Sequence, residues 1–231
     1  MTVEIWSDVT CPFCYIGKRK FENALKKFDN RDRIKILWHS FQLSPKTKTD
    51  PAVNVAEHLA KQKGWTLEFA QKAHTRVTAI AKEVGLIFRF EKAVIANSLN
   101  AHRLSHLASK FNMQHELHER LFSAYFTEGK NIDDDTTLIQ IGTDTGLPAE
   151  EIQKMLRSQI YADKVREDII AAQQIGVHGV PFFVINSKYA VSGAQPSEVF
   201  LNALETAWQE KTDPNKSLET DGPLCMIDGN C

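Results

Sequence analysis

Apolar and polar residues alternate over Val3-Glu4-Ile5-Trp6, and the pattern lengthens to a helical period just beyond Cys11-Pro12-Phe13-Cys14. Period two marks a strand with a buried face, whereas apolar positions three and four apart mark one side of a helix. These patterns predict a strand from Val3 to Ser7 and a helix from about Pro12 to Phe28, with Phe21, Leu25 and Phe28 on its apolar face. A second apolar stretch, Ile34 to Phe41, completes a βαβ unit. Beyond a polar loop from Ser44-Pro45 to Asp50-Pro51, helical periodicity runs on to Arg157. It divides into Val53 to Lys63, Leu67 to Val84, Ala96 to Lys110, Gln114 to Phe126, Asp135 to Asp144 and Glu150 to Arg157, broken at Gly64, Gly85, Asn112, Gly129 and Gly146-Leu147-Pro148. Phe88-Arg89-Phe90 reads as a short extended stretch, and Asp133-Asp134-Asp135 as a helix cap.

The remainder returns to mixed structure. A helix from Ile160 to Gln174 leads through Gly176 and Gly179 into Val180-Pro181-Phe182-Phe183-Val184-Ile185, then Tyr189 to Gly193, and a helix from Pro196 to Trp208. Asn186-Ser187-Lys188 is short enough to fold the two strands antiparallel. One βαβ crossover plus one hairpin gives a small mixed sheet of four strands flanked by helices. The predicted organisation is a discontinuous α/β domain over 1–48 and 159–210, an all-helical insertion over 49–158, and a polar tail over 211–231.

At 231 residues with 42% hydrophobic content, the chain can bury a substantial core. The 28 basic and 29 acidic residues leave a net charge of -1, so no field favours nucleic acid or an anionic membrane, and no run reaches the length of a membrane span. The opening Met1-Thr2-Val3-Glu4-Ile5-Trp6 has no basic segment before a long apolar one, and a cytoplasmic location is expected. In that reducing compartment four cysteines point to redox work rather than to a structural framework.

Cys11 and Cys14 fall where a strand meets a helix. The first helical turn presents unpaired N–H groups and the positive end of the peptide dipole, and Pro12 suits the first helical position because its missing N–H is not needed there. Cys11 at the N-cap should therefore ionise more readily than a free thiol, and Cys14, one turn on, should be the more buried partner with which it cycles between dithiol and disulfide. A zinc knuckle is the competing reading of such a pair; Cys225 and Cys231 are too loosely spaced to complete one, and no metal is expected. Val180-Pro181 opens a central strand with a proline, which is unexpected unless a cis bond turns free backbone groups of Val180 toward Cys11 and an extended substrate.

Cys11-Pro12-Phe13-Cys14-Tyr15-Ile16-Gly17 and Gly176-Val177-His178-Gly179-Val180-Pro181-Phe182-Phe183 together resemble the DsbA-type thioredoxin-like oxidoreductases, in particular their FrnE-like branch. The resemblance implies a thioredoxin-like fold with an inserted all-helical domain, Cys11 as attacking thiol, Cys14 as resolving thiol and Pro181 as a cis-proline. Substrate contacts follow at Pro12, Phe13, Val180 and His178, and the stretches from Trp38 to Pro45 and Asn97 to Leu104 place Asn97 and His102 near the site. The implied activity is protein disulfide exchange or isomerisation with no cofactor beyond the redox-active disulfide, acting on protein thiols or small thiols, with glutathione as a possible co-substrate. Pro-Phe between the cysteines lacks the imidazole that would add a donor near Cys11, so strong oxidising power is not implied. The kappa-type transferases and hydroxychromene carboxylate isomerases resemble the same scaffold and give a second reading, glutathione-dependent isomerase or transferase, in which Cys14 would be idle. A zinc-stabilised binding module is a third.

Cys225 and Cys231 admit a local disulfide clip, a second redox pair that relays electrons to Cys11 and Cys14, or no role. His102, His106, His115 and His118 have a helical spacing that metals use, and solvated helix faces are the expected explanation.

Overall fold

The computed structural model describes residues 1–212 and the backbone of Cys225–Met226. Strand β1 (Thr2–Ser7) and helix α1 (Pro12–Lys27) lead through a 3-10 turn at Arg31–Arg33 to β2 (Lys35–Ser40). Helices α2 (Val55–Lys63), α3 (Leu67–Glu83), α4 (Leu99–Ser109), α5 (Gln114–Ser123), α6 (Asp135–Asp144) and α7 (Ala149–Leu156) follow. The chain then forms α8 (Ala162–Gln174), β3 (Phe182–Ile185), β4 (Tyr189–Ser192), α9 (Ser197–Thr212) and a two-residue β5 (Cys225–Met226). The sheet order is β2-β1-β3-β4-β5, parallel between β1 and β2 and antiparallel elsewhere. This is a thioredoxin-like sheet carrying a helical insertion.

Alternation along β1 sends Val3 and Ile5 to one face and Trp6 to the other, so the sheet is covered on both sides. On the first face Phe21 of α1, Phe183 of β3 and Phe200 of α9 pack with ring centroids 4.7 to 5.8 Å apart. On the second, Trp6 and Val184 pack against Ala172 of α8. Phe182 joins this second cluster and Phe183 the first, so the consecutive aromatics serve opposite faces. The first cluster continues without a break into the insertion through Leu104, Phe122 and Phe126.

Three departures from the periodicity have local causes. The helix expected to reach Phe126 ends as an α-helix at Ser123 and widens into a π-turn over Ala124–Glu128, which ends at Gly129. Gly129 has φ +71°, and a Cβ there would fall 2.5 Å from the Lys92 carbonyl oxygen, so the turn needs a glycine. Phe88-Arg89-Phe90 forms no strand; the Arg89 N–H donates to the Phe126 carbonyl at 2.7 Å. In the polar tail, Cys225–Met226 pair with Tyr189 and Ala190 of β4. The Cys225 side chain and Cys231 lie outside the described residues, and so does any bond between them. As expected of the aspartate run, Asp134 is an N-cap and accepts the Thr137 N–H at 2.8 Å.

The histidines do not lie on solvated faces. His102 and His118 are each 1% exposed. His118 stacks on Trp38 at 4.0 Å and bonds Ser105 at 2.9 Å. His115 bonds Glu22 at 2.8 Å, while His106 bonds Asp168 at 3.0 Å. They tie the insertion to the sheet domain. Asp168 of α8 also bonds His39 of β2 at 2.9 Å, and His39 reaches Glu4 of β1 at 3.1 Å. Burial opposes charge on both groups, but pairing outweighs it: His106, then His39 and the Ser40 N–H, lower the carboxyl of Asp168, and Asp168 with Glu4 raises the imidazole of His39.

The signs define a pH window. Asp168 stabilises the fold above its unfolded value of about 4 and loses this as pH falls; His39 stabilises below its unfolded value of about 6.5 and loses this as pH rises through the raised one. Asp168→Asn should therefore destabilise the protein by about 1–3 kcal/mol between roughly pH 4 and 6.5, with a smaller difference on either side. Denaturant unfolding of both proteins across that range measures it, and a pH-independent difference would contradict the pairing.

Candidate active site

Cys11 is the N-cap of α1, with extended backbone (φ −89°, ψ 114°), and Pro12 opens the helix. The Cys11 N–H donates to the Asp8 carbonyl and the Cys14 N–H to the Cys11 carbonyl, each at 3.0 Å. Both cysteines are free thiols, 4% and 1% exposed respectively. Burial, followed by the neighbouring Cys11, pushes the Cys14 thiol well up; the Ser7 hydroxyl and Asp8 N–H act in the opposite direction.

The Val180–Pro181 peptide is cis, and the Cys11 thiol donates to the Val180 carbonyl at 3.5 Å. The Pro181 carbonyl accepts the Gly193 N–H at 2.8 Å, which fixes the turn into β3. Gly17, on the second turn of α1, lets the proline approach: a Cβ there would lie 2.8 Å from Pro181 Cγ. Alanine at this position adds about 1 kcal/mol of helix propensity. Overpacking against a ring held between α1 and β3 costs about 1–3 kcal/mol. Gly17→Ala is therefore expected to destabilise the protein by up to about 2 kcal/mol net, and to slow turnover by displacing Pro181. A raised melting temperature with unchanged turnover would show that the contact is slack.

Beside Cys11 opens a cavity of about 480 Å³. One wall is the strand-to-helix turn, with Asp8, Thr10, Pro12 and Phe13; the facing wall is α2 and α3, with Leu59, His74 and Val77. Phe90, Tyr125 and Phe126 also line it, the last two carried there by the π-turn. Its lining is largely apolar, and Phe13, Leu43 and Trp65 add exposed apolar surface at 41%, 48% and 41%. His74 stacks on Phe90 at 4.1 Å, and burial lowers its imidazole, so it is neutral near pH 7.

Asp8 places a negative charge in this wall. Its carboxylate is 1% exposed and accepts the N–H groups of Thr10 at 3.1 Å and Leu43 at 2.8 Å, with His102 Nε2 at 3.6 Å. Burial opposes the charge, but His102 and these donors outweigh it and hold the carboxyl below its usual range.

Cys11, Cys14 and Pro181 thus meet at one point, and Pro12, Phe13 and Val180 line the cavity. His178 is exposed and not part of the cavity wall. Asn97 is engaged in the fold: its amide donates to the carbonyls of Pro45 and Thr47, while its oxygen accepts the Leu99 N–H. His102 lies behind Asp8. Sequence reasoning missed Ser7, Asp8 and the α2–α3 wall; the available signal for the first two was a consecutive polar pair directly after the apolar Ile5-Trp6.

A dithiol at the first strand-to-helix junction, a cis-proline against it and this sheet order define a thioredoxin-like protein. More narrowly, residues 2–205 match the DSBA-like thioredoxin domain, and the chain belongs to that family, whose members are generally oxidoreductases. A probable DsbA oxidoreductase from Streptomyces coelicolor is 36% identical, with a TM-score of 0.85 over 100% of this chain and 98% of that one. YwbO, an uncharacterized protein of Bacillus subtilis, is 27% identical over 211 residues, 90% of this chain and 98% of its own. A 2-hydroxychromene-2-carboxylate isomerase shares the fold at 15% identity, with a TM-score of 0.66 over 94% of this chain and 100% of that one.

Proposed function

We propose that this protein is a cytoplasmic thiol–disulfide oxidoreductase of the FrnE-like branch that acts on disulfides of proteins or small thiols. One observation carries the reading: a free, buried dithiol whose leading cysteine is the N-cap residue of a helix, with its sulfur against the Val180 carbonyl and beside an apolar cavity. The attacking group is Cys11, the N-cap residue of α1. Its thiolate attacks one sulfur of a substrate disulfide; the other leaves as a thiolate, and a mixed disulfide remains on Cys11. Attack by Cys14 completes a reduction, whereas attack by a second substrate thiol completes an isomerisation. Glutathione can serve as the small thiol in either direction.

Pro12, Phe13 and Val180 would contact the substrate, Val180 through its backbone. His178 would act at the rim, and Asn97 and His102 through the segments they brace. The insertion over 49–158 faces Cys11 across the cavity and supplies most of its apolar wall. In a reducing compartment such a couple runs toward reduction or isomerisation rather than net disulfide formation. The glutathione-dependent isomerase reading shares the scaffold but leaves Cys14 without work. The test is catalysed reduction of insulin disulfides by dithiothreitol: the purified protein should accelerate precipitation of the B chain, and a rate equal to dithiothreitol alone would overturn the proposal.

A further inference from the structure

One buried polar group beside the dithiol has no task in this chemistry. Ser7 ends β1, is 0% exposed, and its hydroxyl has no hydrogen-bond partner among the described residues. A hydroxyl taken out of water without a partner is destabilising, and native structures retain few of them. The backbone of Ser7 is committed elsewhere, since its carbonyl accepts the Phe41 N–H at 3.0 Å and the residue pairs with Ser40. The Ser7 hydroxyl and the Asp8 N–H are the two donors beside Cys14, which is 1% exposed in the first turn of α1, and both act against the burial that raises its thiol. A neutral thiol there asks little of either donor; a sulfur anion accepts both.

We infer that the Ser7 hydroxyl stabilises the Cys14 thiolate during resolution of the mixed disulfide, with the Asp8 N–H as second donor. The inference rests on the oxidoreductase reading above. In this step Cys14 gives its proton to solvent and its anion attacks the Cys11 sulfur. The Cys11–Cys14 bond forms, the bond from Cys11 to the substrate sulfur breaks, and the electron pair leaves with the substrate thiolate. Burial disfavours the Cys14 anion when it is needed, and preorganised donors replace the water it has lost. The neighbouring titratable groups do not do this: Cys11 is bonded to substrate at that stage, and the Asp8 carboxylate is held by Thr10, Leu43 and His102.

Ser7→Ala in the full chain tests it, with a disulfide-linked peptide as substrate and acid quench followed by mass spectrometry. Formation of the mixed disulfide should keep its wild-type rate, while its decay slows roughly tenfold. In a Cys11→Ser background, the ionisation midpoint of Cys14, followed by thiolate ultraviolet absorbance, should rise by about one pH unit on removal of the Ser7 hydroxyl. Ser7→Thr, which keeps the hydroxyl, should restore both. Unchanged decay and midpoint would overturn the inference; so would slowed decay with an unmoved midpoint, which reports packing alone. No mixed disulfide in the wild-type protein would instead remove the oxidoreductase reading itself.

Discussion

Cys11→Ser should lose effectively all catalysis of insulin reduction, leaving the rate of dithiothreitol alone, while the fold persists. Serine nearly matches the size of cysteine, and Cys11 supplies no side-chain cap to α1, so stability has little reason to change. Chemistry has every reason to change, because an alcohol is not ionised near neutral pH and forms no exchangeable bond to sulfur. Cys14→Ser should behave differently. Cys11 still attacks, but the mixed disulfide waits for an external thiol, so the bound species accumulates. Turbidity and quenched-flow mass spectrometry distinguish the two variants; similar residual turnover in both would mean that the sulfurs do not divide the work in this order.

Lys18→Met carries the largest expected effect on stability. Lys18 is 1% exposed on α1, and its ammonium lies 2.5 Å from both Glu22 and Glu119 of α5. Arg19 pairs with the same two carboxylates at 3.1 and 2.6 Å, Tyr15 donates to Glu119 at 2.7 Å, and His115 reaches Glu22 at 2.8 Å. Methionine fills the space but leaves two partly buried carboxylates short of a cation. Breaking such a buried set costs about 3–5 kcal/mol, and the remaining Arg19 and His115 argue for the lower end. At about 2–4 °C per kcal/mol, the melting temperature should drop by roughly 6–12 °C.

Acid should narrow that gap. Burial alone would raise the Glu22 carboxyl, but His115 and Lys18 bring it down to about 2. Its pairing energy is present above the unfolded value of about 4.3 and is lost as pH falls from there toward 2. Thermal unfolding at neutral pH and near pH 2 measures both limbs. A melting temperature equal to wild type at neutral pH would show that Arg19 and His115 alone suffice.

Much of the site was legible because its chemistry is local. The strand, the N-cap cysteine, the proline after it and the helix face at Phe21 all lie within one short stretch, where backbone sterics and capping decide the outcome. Val180-Pro181 stood out as a proline where a central strand needs a donor. What could not be read depends on residues distant in sequence: Asp8 meets His102, Gly17 meets Pro181, and Glu119 meets Lys18 only once the insertion has folded onto the sheet. The histidines misled for the same reason, since a helical spacing does not reveal which face another element will cover. The cavity was equally invisible, being built from side chains of α2, α3 and the π-turn that individually read as ordinary helix positions.

The central claim is that Cys11 is the sulfur that meets the substrate, with Pro181 beside it and Cys14 behind. The most direct measurement is peptide mapping by mass spectrometry of the species trapped when Cys14→Ser protein is mixed with a disulfide-containing substrate. The account predicts a single substrate adduct on Cys11 and none once Cys11 is also serine. An adduct on Cys225 or Cys231 in its place, or no adduct at all, would contradict it.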